Sequence, residues 1–195
     1  MSNDMKEKFI ETTIELINEK QSSREVNLRS VARKIGCSHQ NLYNYFKNYD
    51  ALLWECMLPS IKRLCAFSAK AIENVDEKED KIRFFFSSQI EFALENPGIY
   101  SLIWLDKLQG EPPVEIAEKL GFASKEFITN INHFTSYSLD EKDLQKISDI
   151  LHSYIHGIIC KLISNRVDIM ENENYIKEVV ENCIAILLTF RPKSN

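Results

Sequence analysis

The sequence predicts an all-α chain of about nine helices, in which a small N-terminal three-helix module is followed by a larger helical remainder. Two observations carry this class. Only five glycines and five prolines occur in 195 residues, and the stretches between them are rich in Leu, Ile, Glu and Lys, which lose little side-chain freedom in a helix. The apolar residues recur three and four apart, which is helical periodicity. A hydrophobic fraction of 44% with 27% charge belongs to a folded globular chain and is too apolar for a disordered one.

In the first segment Phe9, Ile10, Thr13, Ile14 and Ile17 share one face, giving a helix over roughly residues 4–20. The polar connection KQSSRE leads to Asn27, a good N-cap, after which Leu28, Val31, Ala32 and Ile35 repeat at helical spacing. This second helix ends at Gly36, placed to adopt the left-handed conformation, and Ser38 stands where it can cap a third helix from His39 to about Lys47. Leu42, Phe46 and part of Tyr45 are its evident core anchors. His39, Gln40, Asn41, Tyr43, Asn44 and Lys47 then face outward, a set of hydrogen-bonders and phosphate binders that suits a helix reading base edges in a major groove. Downstream, helical patterns run over 50–74, 78–95, 97–108, 113–134, 139–164 and 173–190, separated by NVDEKED, ENPG, QGEPP, TSYSLD and NRVDIMEN. The expected division is residues 1–49 for the module and 50–195 for the larger domain.

The net charge of -5 is unevenly spread. Residues 1–53 carry eight Lys or Arg against seven Asp or Glu, and residues 54–195 carry sixteen against twenty-two. From Leu28 to Tyr49 the cations Arg29, Arg33, Lys34 and Lys47 stand without a single acid, so this stretch can approach phosphates.

The run NLRSVARKIGCSHQNLYNYFKNYDALL, Asn27 to Leu53, resembles the signature of the TetR family of transcriptional regulators: a helix, a glycine turn, a Ser-led recognition helix, an aromatic LYxYF and a following LL. The resemblance is sharp over roughly residues 5–55, and beyond them it is one of length and helical layout. It implies that Tyr43 and Lys47 bind phosphates and that Ser38, His39, Gln40 and Asn41 meet the major groove of double-stranded DNA. The chain departs from the family's usual residues at Cys37 (Val), His39 (Lys or Arg) and Tyr49 (Lys). Affinity is then expected to lean more on hydrogen bonds than on charge. The resemblance further implies a homodimer through the last two helices, and a repressor that leaves a palindromic operator when a small-molecule effector binds.

In the larger domain Ile82, Phe85, Phe86, Gln89, Ile90 and Ala93 form an apolar stripe interrupted by one amide. Ligand pockets are largely apolar with a few placed polar groups, which makes Phe85, Gln89, Phe92, Tyr100 and Trp104 the expected contacts of a largely apolar effector. The segment CIAILLTF, Cys183 to Phe190, is apolar almost all round and needs cover on more than one side. Tyr154, Gly157, Ile158, Ile184 and Leu188 are accordingly the expected dimer contacts. Gly157 inside a helix costs about 1 kcal/mol relative to Ala, which close helix approach would explain.

His152 and His156 lie one turn apart, a spacing compatible with a shared metal, yet no third ligand is identifiable from sequence, so no metal and no cofactor is expected. The five cysteines show no CxxC spacing and read as buried thiols. No nucleotide-cradling, nucleophile-elbow or zinc-protease motif is present, which argues against an enzyme. The polar start MSNDMKEKF and the lack of a long apolar run point to the cytoplasm. The rival reading is a small-molecule-binding helical adaptor without DNA binding.

Overall fold

The apolar face of the first segment forms α1, Asn3–Lys20, with Asp4 in its first turn and Lys20 in its last, both complementary to the helix dipole. Its last turn closes at Gln21, which takes a positive φ of 54° while the Ser22 amide donates to the Ile17 carbonyl. A short 3-10 turn at Ser23–Glu25 follows, then α2, Leu28–Ile35, and α3, His39–Leu42. The helix α4, Tyr49–Ile72, is capped by Asn48, whose Oδ1 accepts from the Ala51 amide at 2.9 Å. Pro59 lies inside it, so one intrahelical donor is absent there. After these come α5, Lys78–Glu95; α6, Pro97–Trp104, with Pro97 opening its first turn; α7, Val114–Ala117; and α8, Phe122–Phe134. Last are α9, Glu141–Ile163, capped by Asp140, and α10, Tyr175–Thr189. The computed structural model describes residues 3–135, 139–166 and 174–191. Parts of the expected TSYSLD and NRVDIMEN loops lie outside the described residues.

The all-α layout is as expected, with three differences of extent. The third helix is regular only over its first four residues, because the Asn44 and Tyr45 amides bond three residues back, to Asn41 and Leu42, and tighten the chain into turns. The expected 97–108 helix stops at Trp104, where the Leu105 and Asp106 amides share the Ser101 carbonyl. The expected 113–134 helix is two, α7 and α8. The amides of Lys119 and Leu120 reach only the third residue back, and Gly121 precedes the restart.

The chain divides into two compact units, residues 1–63 with 96–121 and residues 64–95 with 122–195. The division expected after Tyr49 is not where the packing separates, since the first half of α4 and all of α6 belong with the N-terminal helices. In the first unit Phe9, Ile14, Ile17, Leu42, Leu52, Ile99 and Leu102 are fully buried. Phe9 meets Tyr45 edge-on at 5.4 Å and Phe46 at 6.3 Å, so the two anchors of the third segment rest on α1. Gly98 in α6 faces the end of α1 so closely that a β-carbon would fall 2.6 Å from the Ile17 carbonyl oxygen. In the second unit Phe86, Ile90, Ile131, Ile147 and Leu151 are fully buried. Around them Phe85 gathers Phe86, Phe127 and Phe134 at centroid distances of 5.4–5.7 Å, while α10 packs on α5 and α9. No helix among the described residues is long and apolar enough to cross a membrane.

Candidate nucleic-acid interface

The site is built on a capped helix, a left-handed turn and a short exposed helix. Asn27 Oδ1 accepts from the Arg29 and Ser30 amides at 3.0 Å, and Ser30 Oγ accepts from the Asn27 amide at 3.0 Å. This capping box fixes the start of α2, whose Leu28, Val31 and Ala32 are buried. At the other end Gly36 adopts φ 81°, ψ 30°. The Cys37 amide bonds the Ala32 carbonyl at 3.0 Å and the Gly36 amide bonds that of Arg33 at 3.3 Å. These are the two bonds of a Schellman motif, which turns the chain without leaving carbonyls orphaned.

Ser38 then opens α3 through its backbone carbonyl, which accepts from the Asn41 amide at 3.0 Å. Its side chain makes no capping bond and is exposed, contrary to the expected side-chain cap. Leu42 and Phe46 are buried, as the spacing of anchors predicts, and Tyr45 is half-buried. His39, Gln40, Asn44 and Lys47 are exposed, Asn41 is half-buried, and Tyr43 is 56% exposed. The His39 and Tyr43 rings meet edge-on at 6.3 Å, and Asn44 Nδ2 lies 3.4 Å from Asn41 Oδ1. One surface thus brings together all of the expected DNA contacts from 38 to 47, and no carboxylate interrupts it between Leu28 and Tyr49.

Beside this helix runs a shallow groove lined by Asn27, Leu28 and Arg29 at the start of α2, by His39 and Tyr43, and by Asn48 and Tyr49 at the start of α4. Asn48 was not singled out from sequence, although an Asn before an acid-bearing first turn is a helix-start signal. Tyr49 is occupied inward: its hydroxyl donates to the Ser23 carbonyl at 2.9 Å. Burial, then the neighbouring Cys56, Asp106 and Asp50, push that phenol well above its ordinary range. Lys34, one of the four cations of the acid-free run, bonds Glu19 and lies 3.9 Å from Glu15, both on α1. Arg29, Arg33 and Lys47 are exposed.

The other expected contacts are placed differently. Phe85 and Phe92 are buried in the second unit; Gln89, one turn from Phe85 on the same helix, donates to Ser68 Oγ at 2.6 Å. Tyr100, buried, and Trp104, half-buried, belong to the first unit. Of the expected dimer contacts, Leu188 is 51% exposed and Gly157 is exposed with nothing within 4 Å of a β-carbon. Tyr154 is half-buried and its hydroxyl accepts from Asn182. Ile158 and Ile184 turn inward, into the packing of their own unit, because they fall on the faces that α9 and α10 present to each other and to α5. Ile150, 42% exposed, is an outward apolar residue of α9 that the sequence reading did not select.

No family model matches the sequence, and no curated protein matches it. Solved structures do. A TetR transcriptional regulator from Rhodococcus sp. RHA1 is 17% identical, with 94% of this chain and 96% of that one covered at a TM-score of 0.62. A TetR-like transcriptional regulator from the same organism is 13% identical over 95% and 98% of the two chains, at 0.62. The superantigen PfiT is 13% identical over 98% and 100%, at a TM-score of 0.66. Identities this low speak for the fold, and the fold of this chain is that of the TetR-like transcriptional regulators.

Proposed function

We propose that the chain is a cytoplasmic, homodimeric transcriptional regulator that binds double-stranded DNA through α3 and the turns around it. The observation that carries the reading is the acid-free surface of Ser38 to Lys47, held outward by the buried Leu42 and Phe46 behind a Schellman turn. Its amides and imidazole suit base edges, while Arg29, Tyr43 and Lys47 suit phosphates. Two such surfaces related by a two-fold axis would match a palindromic operator, and repression is the regulatory outcome proposed for it. The dimer face is assigned to Ile150, Tyr154, Gly157 and Leu188, the apolar or side-chain-free positions that α9 and α10 leave outward.

A sensing role falls to the second unit, with a small, largely apolar effector contacting Phe85, Gln89 and Phe92, which lie one helical face along α5. Gln89 would exchange its bond to Ser68 for one to the ligand. The test is selection of bound sites from random duplex DNA, followed by anisotropy titrations against salt. A TetR-like regulator gives an enriched two-fold motif and a steep salt dependence. A helical binding protein of the same fold that lacks DNA binding enriches nothing.

A further inference from the structure

On α9 three residues chosen from the metal-binding repertoire follow one another at intervals of four: His152, His156 and Cys160. All are half-buried. The rings of His152 and His156 are stacked, 13° from parallel with centroids 6.0 Å apart, and His152 also meets Phe127 edge-on at 5.6 Å. One turn on, His156 Nε2 stands 3.5 Å from Cys160 Sγ.

We infer that His156 and Cys160 form a two-residue chelate for a borderline-soft divalent cation of the zinc class. Zinc–nitrogen bonds of about 2.05 Å and zinc–sulfur bonds of about 2.3 Å, opened at a tetrahedral angle, set the two donor atoms about 3.6 Å apart. The separation already present is 3.5 Å, so an ion would bind both atoms with little change of rotamer. The imidazole and thiol sit on one helix face because residues four apart lie one above the other.

Nε2 of the neutral His156 imidazole would supply one lone pair. Binding transfers the Cys160 thiol proton to solvent, the cation replacing it on sulfur. Among the described residues no group of three or more His, Cys, Asp or Glu could hold an ion together. Water therefore completes the coordination, and the preference for nitrogen and sulfur over oxygen donors selects zinc-like ions above magnesium or calcium. The site is independent of the DNA-binding reading.

Cobalt(II) titration of the reduced, full-length protein tests it. A thiolate-to-cobalt absorption is expected in the wild type and displaced by zinc, and expected also in Cys37→Ser and Cys65→Ser, which remove the other half-buried thiols. Cys160→Ser abolishes it, and His156→Ala weakens cobalt binding about tenfold or more, with circular dichroism confirming that both variants are folded. Absence of the band in the wild type overturns the site. So does a band that survives Cys160→Ser, or an affinity that His156→Ala leaves unchanged, since the Sγ–Nε2 contact is then only a hydrogen bond.

Discussion

Gly98→Ala isolates the seating of α6 on α1. The added methyl would lie 2.6 Å from the Ile17 carbonyl oxygen, 2.7 Å from the Gln21 carbonyl carbon and 2.7 Å from the Ser22 amide nitrogen. All three are backbone atoms, so no side-chain rotation relieves the overlap. The end of α1 or the start of α6 must shift by about 0.7–0.8 Å to regain ordinary contact. Overpacking a well-filled site costs roughly 1–3 kcal/mol, and a rigid backbone neighbour puts this case in the upper half of that range. Ala gains up to about 1 kcal/mol over Gly in helix propensity. The net loss is about 1–2 kcal/mol, which for a chain of this length lowers Tm by about 2–8 °C. Gly157→Ala is the control: the same substitution, in a helix, where the methyl meets nothing within 4 Å. Propensity acts alone there, and the isolated chain should gain about 0.5–1 kcal/mol. Thermal melts by circular dichroism, run at several protein concentrations, separate the two. A Gly98→Ala variant melting at or above the wild type would refute the backbone-to-backbone packing.

Lys47→Ala should reduce the slope of log affinity for DNA against log salt by about one, whereas Lys34→Ala should leave it unchanged because Glu19 and Glu15 already hold that ammonium; equal slopes for both variants count against the proposed surface. Leu188→Glu places a carboxylate on the outward face of α10 and should yield folded monomers by sedimentation, while Ile184→Glu, buried, should unfold the chain instead; a Leu188→Glu protein that still dimerises moves the interface elsewhere. The folded pKa values of His152 and His156 are depressed below the ordinary 6.5, by burial first. The unfolded chain then binds more protons, so their contribution is fully present above about pH 6.5 and is lost as pH falls through the folded values. In His152→Gln, denaturant unfolding across that window should show a shallower loss than in the wild type.

The N-terminal module was legible because its signals are local. Asn27 as a cap, Gly36 in the left-handed region and the Leu42–Phe46 pair each depend on neighbours within a few residues, and the structure has them as read. The extent of α3 was not legible. Leu42 and Phe46 are four apart in an α-helix and also in the tightened turns seen here, where the Phe46 amide still bonds the Leu42 carbonyl at 2.9 Å; periodicity cannot tell the two apart. Nor could sequence say that Ile158 and Ile184 turn inward while Ile150 and Leu188 do not, since α9 and α10 are apolar over more than one face and which face is covered depends on where α5 packs. The role of Cys160 was hidden for a different reason: its partner is one turn away, but only the side-chain rotamers bring sulfur to Nε2.

An acidic chain that binds DNA must economise on cations, and the first unit shows how the proposed surface would manage it. Lys34 is paired with Glu19 on α1 and Tyr49 is turned inward, which leaves Arg29, Arg33 and Lys47, all exposed, as the other cations of the run. The groove beside α3 is instead flanked by the starts of α2 and α4, whose helix dipoles present positive partial charge, although the Arg29, Ser30 and Ala51 amides there are already bonded by the Asn27 and Asn48 caps. Such partial charges act at contact distance and are fixed in direction, whereas lysines attract any polyanion from a distance. On the proposed reading, a phosphate seated in this groove would set the register in which His39, Gln40 and Asn41 meet the bases, and the few free cations would keep indiscriminate binding weak. If α3 reads DNA as proposed, the low cation count and the density of amides on it would be two sides of one arrangement, favouring discrimination between sequences over general affinity.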